Sequence, residues 1–561
     1  MSEPRDPELR RAGTQWPALF LVFALLGVAV YAPSFPGGPI SDDMAYLMNP
    51  WVRGLSARSL PELFDPRSQA TLSLNNYAPV RPILHGLQWK RFYDESDVPA
   101  TNRAYHATNV ALHVAASGLL ALLLAQVGLP FAAAAAGGAL FLLHPANVES
   151  VAWLCELWTS VALALGIGAL LAQRRRPALA LVLFALALLS KPQVVCVLPV
   201  ALLRQWAWSR GAAPSAPAVR RGWLWMAGWL AVFAAITAAE LVTFFESASG
   251  AREPLHPDAF VQARTIVAFA GRYLAMAATG YGVAAFQQPP PALSWLDPWW
   301  LFGLVATVAI TALALRAAAR GREEAAFWVW GPAAFLPVSQ IFPFLYPFGD
   351  RYLYFMLPGL LGGVLLAGRE LLARAVPAAS RPHARAALLA VAALACAWFG
   401  WQSHSRAAIW VSEDRVLLDA ARRWPDGVPA HLIAARRAAL AGDLDGAIAH
   451  LELCRARGWD YYGHLQQHPA FEPIRSAPRF QRLIRDFAGD LVERASKTRR
   501  HTQLDLRDIA EAHRLRGEIP QALAALEQAV ALGGPLDRDL RPQLVSLRAQ
   551  AARATAAQES R

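Results

Sequence analysis

The chain has 561 residues, 55% hydrophobic and only 17% charged, with a formal net charge of +12. Such an apolar composition excludes an ordinary soluble globular protein. The positive charge lies in short loops between apolar blocks, which argues for membrane topology and against a nucleic-acid partner.

The apolar blocks run between about 16 and 402, each roughly 18–25 residues, enough to cross a ~30 Å hydrocarbon core. The first, near 16–33, follows Arg5, Arg10 and Arg11 and continues into Pro-rich sequence without an A-x-A cleavage site. A retained signal-anchor helix is expected there. Further spans are expected near 106–127, 130–144, 148–172, 177–190, 192–204, 222–244, 299–318, 325–342, 352–373 and 386–402. The expected fold is therefore all-α, a polytopic bundle of about eleven spans. Three lysines (Lys90, Lys191, Lys497) stand among fifty arginines, and the Arg, Ala, Gly and Pro bias resembles a GC-rich bacterial genome. Of Cys155, Cys196, Cys396 and Cys454, three lie in apolar spans and no pair has metal-ligand spacing, so no disulfide framework is expected.

Positive loops at the N-terminus, Arg174-Arg175-Arg176, Arg204 to Arg221, Arg316 to Arg322 and Arg369 to Arg385 belong on the cytoplasmic side. Residues 260–283 are apolar but carry Arg264 and Arg272; an interfacial or re-entrant path keeps the arginine loops inside. The outer face then holds the loop 34–105, the turns at His144 and Lys191, the loops 245–258 and 284–298, and the turn at Asp350-Arg351. A loop as long as 34–105 usually carries its own structure or function. Without inverted repeats or matched Gly/Pro-broken helices, a transporter is disfavoured.

Several outer-face residues carry chemistry. Asp42-Asp43 follows the first span; paired carboxylates there suit a general base, or else an N-cap. Lys191, between two apolar segments, suits a phosphate at headgroup level, or a snorkelling side chain. Arg351 breaks the positive-inside pattern, unless it only pairs with Asp350. His144 and Glu149 flank a tight turn. His106, Asn109 and His113 share a helix face, a weak metal signal better read as buried, hydrogen-bonded histidines.

Beyond 403 the chain is charged and amphipathic, which divides it into a membrane domain, 1–403, and a soluble domain, 404–561. Ala435, Ala447 and Cys454 are spaced by 12 and 7, as are Ala510, Ala522 and Ala529. Turn signals, Ala441-Gly442-Asp443 and Arg516-Gly517-Glu518, precede each second small residue, and Pro535 follows the second unit. These resemble the small positions of tetratricopeptide repeats, which stack into grooves for peptides or partner proteins.

Taken in order, Asp42-Asp43, Asn76-Tyr77-Ala78-Pro79-Val80-Arg81-Pro82, Tyr105-His106 to His113, His144-Pro145 to Trp153, Leu188-Leu189-Ser190-Lys191, Leu336-Pro337-Val338-Ser339, Asp350-Arg351-Tyr352-Leu353-Tyr354 and the repeats resemble a family. It is that of the transmembrane and tetratricopeptide-repeat-containing O-mannosyltransferase-like proteins, bacterial members included, which have the C-type glycosyltransferase fold. The resemblance spans nearly the whole chain. It implies an inverting transfer of a mannose-like hexose from a polyprenyl-phosphate donor to a protein or other envelope hydroxyl. It makes Asp42 or Asp43 the base, Arg351 and Lys191 the cations for the leaving phosphate, and His144, Glu149, Tyr77, Arg81, His106 and Tyr354 the residues that hold substrate. It implies a bacterial inner membrane, with the repeats extracytoplasmic and available to hold the acceptor. A non-catalytic scaffold of the same fold, recruiting partners through its repeats, is the alternative. No cofactor is expected, and nothing indicates a divalent metal or excludes one. The chain departs from the family after Lys191, where Glu is usual and Pro192-Gln193 stands, and after Trp153, where Gly-Arg-x-Asp is usual and Leu154-Cys155-Glu156-Leu157-Trp158 stands.

Overall fold

The structure, a computed structural model, describes residues 7–210, 215–247, 254–343 and 346–559. Every regular element among them is helical. Among the described residues, seven helical segments are long and apolar enough to cross a membrane: Gln15–Ser34, Val98–Gln126, Leu154–Ala172, Ala216–Glu246, Pro298–Ala319, Asp350–Ala375 and Ala378–Val411. Their outward faces carry large apolar side chains, among them Leu21, Leu224, Val305, Val391 and Leu394, each at least 62% exposed. Apolar surface on that scale is suited to lipid rather than water. The protein is a multi-pass membrane protein.

The other four expected spans are shorter helices: Phe131–Leu142, Pro177–Ser190, Val197–Arg210 and Glu324–Phe335. At 1.5 Å per residue they are only about 18–21 Å long. Of residues 260–283, those up to Thr279 lie in one continuous helix, Ala259–Thr279, which is at odds with a re-entrant hairpin but not with an interfacial path. Asp258 caps its start, accepting from the N–H groups of Phe260 and Val261, and Gly280 ends it at φ 68°. Arg264 is satisfied by the carbonyls of Ala292 and Leu293, and Arg272 lies over the Trp299 ring. This helix meets Pro298–Ala319 at two glycines. A Cβ on Gly303 would stand 2.1 Å from the Val267 carbonyl oxygen, so only glycine fits.

The chain divides into two compact units, along lines that differ from a cut at 403. The first contains residues 1–44, 90–237 and 252–416. Two groups of its buried charges lie at opposite ends of the helices. At one end the buried Arg204 binds Glu323 and donates to the Leu170 carbonyl and the Gln126 side chain. Arg174 joins the same Glu323. At the other end lie the residues of the candidate site.

The second unit contains residues 45–89, 238–251 and 417–561. Its C-terminal part holds the two expected hairpins, Val428–Leu440 with Leu444–Ala456 and Gln503–Arg516 with Ile519–Leu532. The small residues Ala435, Ala447, Cys454, Ala510, Ala522 and Ala529 are all buried. Gly442 and Gly517 turn the chain between paired helices at φ 74° and 80°. Much of the loop 34–105 packs in this unit. Gln69 donates to the Gly533 carbonyl and accepts from the Gln503 N–H, and Leu504 packs on the Trp51–Leu55–Leu63 cluster. The end of the helix Ala216–Glu246 joins in: Thr243 donates to the Pro66 carbonyl, and Glu246 pairs with Arg67 and Arg500.

Candidate functional site

Asp43 begins a short helix, Asp43–Leu47, and is 1% exposed. Its Oδ2 accepts from the Ile40 N–H at 2.8 Å and its Oδ1 from the Cys155 N–H at 2.6 Å. Trp153 Nε1 donates to the Ile40 carbonyl at 3.1 Å. The turn after the first span is thus clipped onto residues 153–155. Ser41, within this turn, adopts φ 50°, a left-handed conformation unusual for a residue with a Cβ. Strain of this kind tends to gather at functional sites. Burial pushes the Asp43 carboxyl up to about 7; the two backbone N–H groups oppose that shift and the Asp42 charge adds to it. Asp42 is only half-buried.

One residue past the clip, Glu156 starts a network of buried charges. Its Oε2 accepts from Lys191 Nζ at 2.8 Å and from the Thr159 hydroxyl. Lys191 also donates to Thr159 Oγ1 at 2.6 Å and lies 4.4 Å over the Trp158 ring. Arg351 stands 3.8 Å from Glu156 Oε1 and makes a closer pair with Glu149. Its Nη1 donates to Glu149 Oε1 at 2.5 Å, and its backbone N–H to Oε2 at 2.9 Å. The guanidinium is flanked by the rings of Trp153, Tyr346 and Tyr352. None of Glu149, Glu156, Lys191 and Arg351 is more than 6% exposed. Such closely paired buried charges are stabilised by short, charge-assisted hydrogen bonds, without which burial is costly.

Asp350 does not pair with its neighbour Arg351; it accepts from Gln287 Nε2, which reaches in from the 284–292 segment. Phe286, beside Gln287, meets Trp153 edge-on at 6.2 Å.

The histidines serve the scaffold. His144 Nδ1 accepts from the Ala146 N–H, leaving Nε2 to donate to the Ala277 carbonyl. His113 donates to the Leu142 carbonyl and faces the Tyr354 hydroxyl at 2.8 Å; Ser160 lies 3.0 Å from the same hydroxyl. His106 Nε2 meets the Gly37 carbonyl, and its ring stacks on Phe35. Tyr354 is therefore taken up by an interior network. Tyr77 and Arg81 belong to the second unit. There the Tyr77 hydroxyl donates to the Phe64 carbonyl, and Arg81 donates to the Leu74 carbonyl and lies 3.8 Å over the Tyr46 ring.

The structure thus brings Asp43, Glu149, Lys191 and Arg351 to one end of the helices of the first unit. It adds Thr159, Trp153, Asp350 and Gln287, to which the sequence reading gave no role at the site, and Glu156, which that reading weighed only as a stand-in for a residue of the family pattern. For Glu156 there was a signal: it lies in the segment that departs from the family pattern. Among the described residues, no group of three or more His, Cys, Asp or Glu is arranged to hold a metal ion.

No family model and no curated protein matches this chain. A search of solved structures returns the crystal structure of the Archaeoglobus fulgidus oligosaccharyltransferase tethered with an acceptor peptide containing the NVT sequon via a disulfide bond. The two are 14% identical with a TM-score of 0.41, over 70% of this chain and 55% of that one. The chain spans about half the length of that enzyme.

Proposed function

We propose that the protein is a membrane glycosyltransferase of the C-type fold that moves a hexose from a polyprenyl phosphate to an acceptor hydroxyl, with inversion. One observation carries this reading. The segments 40–43, 147–156, 191 and 350–351, far apart in sequence, converge on a single buried cluster of charges at one end of the helices. In this reading Asp42 is the base. Asp43 already accepts two backbone N–H bonds, whereas Asp42 is the more accessible carboxylate. Asp42 takes the acceptor proton as the oxygen bonds to the anomeric carbon. The bond from that carbon to the phosphate oxygen breaks, and its electron pair leaves with the lipid phosphate. Arg351 and Lys191 hold that phosphate through the N–H groups that their carboxylate partners leave unused. Glu156 takes the place of the acid that the family carries after its Lys. The acceptor, a protein or peptide, is held by the tetratricopeptide-like hairpins together with the first loop.

A second reading, a non-catalytic scaffold, is favoured by the neutralisation of both cations by Glu149 and Glu156. Transfer from polyprenyl-phosphate mannose by the purified protein separates the two. Under the catalytic reading Asp42→Asn lowers transfer by about 100-fold or more. Undiminished transfer by that variant excludes Asp42 as the base, and no transfer by the wild type favours the scaffold.

A further inference from the structure

A second charge cluster lies where the lipid-facing helix Pro298–Ala319 ends beside the last turns of Asp350–Ala375. Four guanidinium groups surround one carboxylate there. Arg316 lies 3.8 Å and Arg320 3.2 Å from Glu370 Oε1; Arg322 and Arg374 pair with the same carboxylate more closely. The Glu370 side chain is 14% exposed and the arginines 38–54%. A second carboxylate, Glu324, acts on this group through Arg320, and it also accepts from Trp328 Nε1. Even counting both acids, the cluster keeps two surplus positive charges.

The arrangement exceeds what a structural clasp needs. One or two arginines satisfy a half-buried glutamate; further ones repel each other. That repulsion is visible at Arg320: after partial burial, the charges of Arg316, Arg374 and Arg322 hold its guanidinium below the usual range. Each guanidinium carries five N–H donors in a fork that matches phosphate oxygens, and Glu370 occupies few of them. The position matters equally. Both helices that carry the cluster are long and apolar enough to cross the membrane, so their ends lie at headgroup depth.

We propose that Arg316, Arg320, Arg322 and Arg374, gathered by Glu370, form a binding site for the phosphate of an anionic phospholipid in the leaflet this end faces. The site is separate from the transfer centre and goes beyond the glycosyltransferase reading. Glu370 prearranges the guanidinium groups, and the lipid phosphate supplies the missing negative charge. A free phosphate ion offers the same oxygens without the acyl chains, which lie along the lipid-facing helices.

Native mass spectrometry of the detergent-purified full chain tests this, with phosphatidylglycerol and phosphatidylcholine of matched acyl chains as probes. The wild type is expected to retain phosphatidylglycerol in preference. Arg316→Gln with Arg320→Gln, which leaves Arg322 and Arg374 on Glu370, should weaken that retention about tenfold or more, as expected for two charges removed beside an anionic surface. Equal retention of the two lipids, or no effect of the double variant, overturns the proposal. Displacement of the lipid by millimolar inorganic phosphate overturns the lipid as the ligand.

Discussion

Asp43 shows how one carboxyl reconciles burial with a role in shape. It closes the turn at Ile40 and ties that turn to Cys155. Burial raises its folded pKa to about 7, above the ordinary carboxyl value near 3.9 in the unfolded chain. The native state therefore binds this proton more tightly than the unfolded state does. The sign follows: between about pH 4 and 7 the Asp43 contribution to stability falls as pH rises, because ionisation costs more in the fold than outside it. Asp43→Asn removes the titration and also leaves one backbone N–H without its acceptor, a cost of about 1–3 kcal/mol. The variant should thus melt below the wild type, with the gap narrowing between pH 5 and pH 8. Thermal unfolding in detergent at those two pH values measures it; a gap that widens with pH contradicts the raised pKa.

At the scale of elements, the close approach of Ala259–Thr279 and Pro298–Ala319 depends on having no side chain at Gly303. The nearest obstacle is the Val267 backbone oxygen, which cannot rotate away as a side chain does. Gly303→Ala must therefore push the helices apart, at about 1–3 kcal/mol. Gly368→Ala is the control, since nothing lies within 4 Å of its Cβ. The first should lower the melting temperature and the second leave it unchanged or higher. Such contacts are hard to read from sequence, because glycines 271 and 303 signal nothing until the two helices are paired. Other elements were legible. The small residues at matched spacing in 435–454 and 510–529 marked both hairpins, because only small side chains let paired helices come close. The site was legible in part. Asp43 drew notice as one of two paired carboxylates, Lys191 as a cation between apolar segments, Arg351 by breaking the positive-inside pattern and Glu149 by its place in a tight turn, whereas Glu156 was visible only as a departure from the family pattern. Local reading also suggested an Asp350–Arg351 pair; distant partners, Gln287 and Glu149, won instead. The histidines drew notice by residue type, yet backbone groups and Tyr354 take up both ring nitrogens of His113 and His144 and one of His106.

For the whole molecule, the proposed topology turns on parity. In the second unit, Thr243 and Glu246 touch Pro66 and Arg67 of the first loop, and Glu246 touches Arg500. Groups in direct polar contact lie on the same side of a bilayer. Between the first loop and Glu246 the chain has three long apolar helices, Val98–Gln126, Leu154–Ala172 and Ala216–Glu246. Three crossings alone would put Glu246 on the opposite side. The short helices Phe131–Leu142, Pro177–Ser190 and Val197–Arg210, if each also crosses, restore an even number, which supports the eleven-crossing reading. The ends of the first unit agree. Arg174, Arg204 and Glu323 meet at one end, and Glu149, Glu156, Lys191 and Arg351 at the other, as alternating crossings require. Single cysteines labelled by a membrane-impermeant maleimide test this directly. The native background is low, because Cys155, Cys196 and Cys454 are buried and Cys396 is half-buried. Arg58→Cys and Arg499→Cys should label from the extracytoplasmic side of intact cells. Arg175→Cys and Arg320→Cys should label only after the membrane is opened. Labelling of Arg58 and Arg499 from opposite sides would break the shared second unit. Labelling of Arg175 from the outside would remove Phe131–Leu142 as a crossing, since Pro177–Ser190 and Val197–Arg210 follow Arg175 in the chain, and would leave an odd number of crossings between the first loop and Glu246.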